Sequence, residues 1–92
     1  MDLNELKFFF EELDVKNVDV RDIYTDTGKA GLLTVSLLKP ISITLTSVHG
    51  ITNFICDTID YQRKVLTFIN DNKCIVELPL NSIINIDTEV IQ

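Results

Sequence analysis

Residues 40–87 read PISITLTSVHGITNFICDTIDYQRKVLTFINDNKCIVELPLNSIINID, and this stretch decides the fold. Short apolar runs rich in Ile, Val, Thr and Phe alternate with clusters of Asn, Asp, Gly and Ser, the pattern of strands joined by tight turns. Ser47, Val48, His49 and Gly50 form a hairpin turn in which Gly50 supplies the positive φ. Residues 51–59 are apolar on both sides, with Ile51, Ile55 and Ile59 on one face and Phe54 and Cys56 on the other. Such a strand is central or strongly curled. Asp60, Tyr61, Gln62 and Arg63 turn the chain, residues 65–69 form the next strand, and Asn70 to Lys73 form a tight polar turn. Residues 74–78 are a further strand, 79–82 a brief helical turn, 83–86 the closing strand and 88–92 a tail. A core of Ile43, Leu45, Ile55, Val65, Val76 and Ile83 is expected.

Working outward, Leu33, Val35, Leu37, Ile41, Ile43 and Leu45 share one parity, while Thr34, Ser36, Ser42, Thr44 and Thr46 hold the other. The alternation runs across Pro40, which marks a bulge, an edge or a strand start. Either one strand bends at Lys39 and Pro40 or two strands meet there, and the break is favoured. Val18 and Val20 alternate with Asp19 and Arg21 as a short strand, so residues 15–38 read as an additional strand or hairpin. Thr25 to Lys29 is turn chemistry. Its Asp26-Thr27-Gly28 lacks the apolar strand that precedes that tripeptide in aspartic proteases, and GKAG lacks the spacing of a phosphate loop.

Residues 2–13 predict a helix with Asp2 as N-cap and Glu5 closing a capping box. Leu3, Leu6, Phe9, Phe10 and Leu13 fall within one arc. Phe8 falls outside it, near Met1 and among Glu5 and Glu12. Two readings stand for Phe8: a contact with another chain, or cover by the segment that follows. Met1, Phe8 and Glu12 are therefore the candidate protein-contact residues.

The chain has 92 residues, 46% of them hydrophobic, enough for one folded domain spanning 1–92 and no second core. No apolar run approaches the ~20 residues that cross a membrane. The amino terminus is acidic and lacks the pattern of a secretory signal, so a cytoplasmic setting is expected. The net charge is −6, and residues 1–26 hold eight acids against three bases, a local net of −5. Phosphate backbones are repelled by that third of the chain, which disfavours nucleic acid as a partner. Cys56 and Cys74 sit in apolar patterns and, in a reducing compartment, are expected to stay unbridged. With a single histidine, His49, the chain is short of the ligands of a structural zinc site, so no bound metal is expected. No nucleophile pairs with a base and no cofactor is called for, so no catalytic residues are expected and the chain reads as no enzyme.

A helix followed by these strands resembles the Sm/Hfq-like (LSm) family of small β-barrels. The segment SITLTSVHGITNFICDTIDYQRKVLTF is similar to the first Sm motif, with Gly50 ending the turn and Ile59-Asp60 before the third strand. LPLNSIINI is similar to the second, with Ile83 and Ile86 in its apolar places. The resemblance implies a mainly β fold with an N-terminal α-helix: a strongly bent, five-stranded SH3-like barrel over 40–87, to which the segment before Pro40, longer than the family's usual lead-in, adds an extra N-terminal hairpin. It also implies self-association into a homo-oligomer through edge strands, for which VLTFIN and SIINI are the candidates. The family's Arg-Gly pair is replaced here by Pro79-Leu80, and the Lys-His pair of the Hfq branch is missing. If RNA binds, the expected contacts are Tyr61 as a stacking face and Arg63 and Lys64 as phosphate partners. The functional expectation is a non-catalytic binding module acting through protein contacts. The alternatives are an Hfq-like RNA regulator, or a small acidic inhibitor, of the kind phages and mobile elements make, that fills a nucleic-acid groove of a host protein.

Overall fold

In a computed structural model of the chain, residues 1–16, 18–26 and 32–91 are described. Helix α1 spans Leu3–Glu11, and both halves of its capping box are made: the Glu5 amide donates to the Asp2 carboxylate at 2.8 Å, and the Asp2 amide donates to the Glu5 carboxylate at 3.2 Å. Leu6, Phe9, Phe10 and Leu13 are buried as the helical arc predicts, whereas Leu3, in the first turn, is exposed. The helix stops two residues short of the predicted end, where turns carry the chain to a Val18 amide bonded to the Leu13 carbonyl at 3.0 Å.

Six strands follow: β1 (Val20–Asp26), β2 (Leu32–Ser47), β3 (Gly50–Gln62), β4 (Val65–Asn70), β5 (Lys73–Pro79) and, after a short 3-10 turn at Leu80–Ser82, β6 (Ile83–Val90). All pairings are antiparallel, in the order β1-β2-β3-β4-β5, with β6 beside the second half of β2. β1 and β6 thus lie end to end along one edge of β2. The chain is mainly β with one N-terminal helix, and β1 is the extra strand expected before Pro40. Of the turn expected at 25–29, Thr25 and Asp26 belong to β1 and the remainder lies outside the described residues.

β2 is one strand, not the two favoured from Pro40. It has 16 residues, which would span about 50 Å if straight, against a longest molecular dimension of 37 Å, so it bends. Its pairing with β3 lapses between Ser36 and Ile41. Pro40 has no amide to donate, so it sits where no ladder bond is required. The Leu38 amide donates instead to the Asp19 carbonyl at 2.9 Å. Leu33, Val35, Leu37, Ile41, Ile43 and Leu45 all point into the core, as their parity predicts.

The same lapse corrects the reading of β3. Phe54 and Cys56 face inward, but three residues after Cys56 the inward side passes to Ile59 and then Tyr61, while Ile51 and Ile55 are exposed. A shift of one residue exchanges the faces of a strand. Of the six expected core residues, Ile43, Leu45 and Ile83 are fully buried, Val65 and Val76 are half-buried, and Ile55 is out. β3 continues to Gln62, so the turn expected at 60–63 is the pair Arg63 and Lys64. β6 runs to Val90 through residues expected to form a tail.

The expected closed barrel is not formed. Among the described residues β5 pairs only with β4, and β6 only with β2, so the sheet stays open. α1 covers the core in its place, adding Leu6, Phe9, Phe10 and Leu13 to the cluster of strand side chains. VLTFIN, expected at an edge, is β4 and lies between β3 and β5, whereas SIINI does contribute to an edge strand, β6.

Candidate protein-docking cleft

Met1, Phe8 and Glu12 come together along one cleft of about 490 Å³ between α1 and β6. The helix places them: Phe8 lies one turn from Glu5 and Glu12 and away from the buried arc of Leu6, Phe9 and Phe10. Its ring is 61% exposed. Across the cleft stand Ile84 and Asn85, with Ile86 buried below. Ile84 faces out because β6 shifts register there: Ile83 pairs with Ser47 and Asn85 with Thr46, leaving Ile84 opposite no residue. The Met1 ammonium donates to the Ile83 carbonyl and ties the start of the helix to the strand.

Ile84 was not singled out by sequence reasoning. The available signal is the run Ile83, Ile84, Ile86: a strand buried on one face has no inward place for two consecutive isoleucines.

The residues read as nucleic-acid contacts do not form a common surface. Tyr61 pairs with Leu66 and is only 7% exposed, so its ring belongs to the core and offers no stacking face. That corrects the expectation, and the cause is the switch of faces along β3. Arg63 and Lys64 are exposed at the turn that follows, both with positive φ. The shallow depression beside Arg63 is also lined by Asp60 and Glu77, carboxylates that disfavour phosphate. His49 is exposed in its turn, where its amide donates to the Ser47 hydroxyl at 3.1 Å, and Gly50 takes the positive φ as predicted.

Both cysteines are free. Cys56 is fully enclosed on β3, and burial, with a smaller contribution from the Asp57 carboxylate, pushes its thiol from 9.0 up to about 12. Cys74 is exposed on β5, with β4 between the two strands. Asp57, at the register lapse, accepts from the Thr58 hydroxyl at 3.0 Å and from the Asp71 amide at 3.2 Å, joining the lapse to the β4–β5 turn.

Among the described residues, no helix is long and apolar enough to cross a membrane. No family model matches the chain, and neither does any curated protein or solved structure.

Proposed function

We propose that this chain is a non-catalytic protein-binding and assembly module of Sm-like architecture, which works in the cytoplasm and holds other chains, copies of itself included, at its free edges and at the α1–β6 cleft. One observation carries the reading: Met1, Phe8 and Ile84 converge on a single solvent-facing cleft that runs beside β6, whose outer edge has no partner strand among the described residues. Exposed apolar side chains grouped in this way mark contact surfaces, whereas isolated ones are ordinary. Support for the Sm-like architecture comes from the order helix, then bent strands, then a short 3-10 turn before the last strand, together with the two motif-like segments. The RNA reading keeps the exposed cations of Arg63 and Lys64 but loses the Tyr61 face.

Multi-angle light scattering of the wild type and of Phe8→Glu tests the reading. A multimer is expected for both, with Phe8→Glu losing partners other than the chain itself in a pull-down. A monomeric wild type would remove self-association, and retention of the same partners by Phe8→Glu in a pull-down would remove the cleft.

A further inference from the structure

The free edge of β6 has a chemistry that selects what can be added to it. From Asn85 to Val90 the strand pairs in unbroken register with β2, residues 46 to 41, so its other edge presents a regular ladder of unpaired backbone groups among the described residues. Asn85, Asp87 and Glu89 point away from the core, opposite the hydroxyl row of Thr46, Thr44 and Ser42. The core-side row is Ile86, Thr88 and Val90, and Val90 is 40% exposed although it pairs with the buried Ile41. At the end nearest the helix, this row runs into the cleft flanked by Phe8 and Ile84. Among the described residues, the charges along the edge and cleft are the carboxylates of Glu5, Glu12, Asp87 and Glu89 against Lys16 and the Met1 ammonium.

We infer that the β6 edge takes an extended segment of another protein in which basic side chains alternate with apolar ones. The backbone ladder would hold it as an added strand. Its cations would meet Asp87 and Glu89, and its apolar row would cover Val90 and continue over Ile84 and Phe8. Cross-strand pairs of opposite charge favour that register, and like charges oppose it. A second β6 is refused on the same ground, because its own Asp87 and Glu89 would stand against these two. β5 of another copy is a poor occupant, because a bulge interrupts it between the residues paired with Phe68 and Ile69, and Pro79 at its end lacks a donor. The inference rests on reading the chain as a protein-binding module, and it leaves the edges of β1 and β5 open to self-association.

The test uses fluorescence anisotropy with three labelled octapeptides, alternating Lys with Val, Glu with Val, and Lys with Ser. Saturable binding of the Lys/Val peptide alone is expected, weakening as salt is added. Asp87→Lys with Glu89→Lys should weaken it by about tenfold or more. Glu11→Lys with Glu77→Lys makes the same change of charge away from the edge and should alter it by no more than about twofold. Equal loss in both variants, or equal binding of the Lys/Ser peptide, would overturn the inference. A multimer that ignores the Lys/Val peptide and is dispersed by Asp87→Lys with Glu89→Lys would show a second copy on β6, sinking the inference and keeping the module. A monomer that binds none of the peptides would sink both.

Discussion

β4 is bounded at each end by a two-residue turn, and the two turns make the same shape from opposite chemistry. Arg63 and Lys64 have φ of 53° and 67°, and Asp71 and Asn72 have φ of 52° and 62°, all in the left-handed region that a type I′ turn requires. Asp and Asn enter that region at little cost because their short polar side chains bond locally. Arg and Lys gain no such help, and the left-handed conformation costs roughly 1–2 kcal/mol for each. One turn is made by its own residues. The other is imposed.

What imposes it is the ladder on either side. Ile59 pairs with Phe68 and Tyr61 with Leu66, and all four are buried, so sliding the strands by one residue would turn these side chains outward. Pairing of Gln62 with Val65 then leaves two residues to reverse the chain, whatever they are. Each turn is also tied from outside: the Leu80 amide donates to the Lys64 carbonyl at 2.9 Å, and the Asp71 amide donates to Asp57.

The contrast breaks first at the core. Phe68→Ala removes a fully buried ring that meets Phe54 edge-on at 4.9 Å, and a loss of about 3–5 kcal/mol is expected in urea unfolding. A loss below about 1 kcal/mol would mean that this ring does not hold the register. Next, Arg63→Asn with Lys64→Gly supplies the pair that the turn favours and should add about 1–2 kcal/mol. An unchanged or lower midpoint would show that the native side chains are holding something of their own. Asp57→Ala should cost about 1 kcal/mol and speed hydrogen exchange at the Asp71 amide; unaltered protection there would remove Asp57 from the account.

Smaller still is Asp71→Asn with Asn72→Gly, expected to change stability by no more than about 0.5 kcal/mol. A gain matching that of the other turn would erase the difference between them. Finally, at neutral pH a thiol reagent should label Cys74 in the folded chain and reach Cys56 only on unfolding, since Cys56 is enclosed. Below pH 9.0 the Cys56 thiol is neutral in both states; above it the unfolded chain ionises while the folded one does not, so stability falls until about pH 12. Equal labelling of both thiols in native conditions would mean that β3 opens beside Asp57.

These turns also show where the sequence is readable. The Asp71–Asn72 turn lies where its residues put it, whereas the Arg63–Lys64 turn falls later than the residues suggest, because Asp60 and Tyr61 belong to β3. Phe8 and Glu12 were legible as helix residues outside the buried arc, and the cleft unites them with Met1. Ile84 and the free edge of β6 were not, because each depends on which strand lies alongside. The burial of Tyr61 was hidden for the same reason, since the lapse opposite Pro40 exchanges the faces of β3.

By itself the amino-acid sequence determined the helix with its capping box, the alternating face of β2, the Gly50 and Asp71 turns and the short turn after Pro79. Those features rest on interactions between residues a few places apart or on the dihedral preferences of single residues. Only the tertiary structure decided the strand order, the open sheet, the exposure of Ile55 and the cleft beneath Phe8. Each of these follows from pairing between distant strands, where a single slip in register changes which side chains meet water.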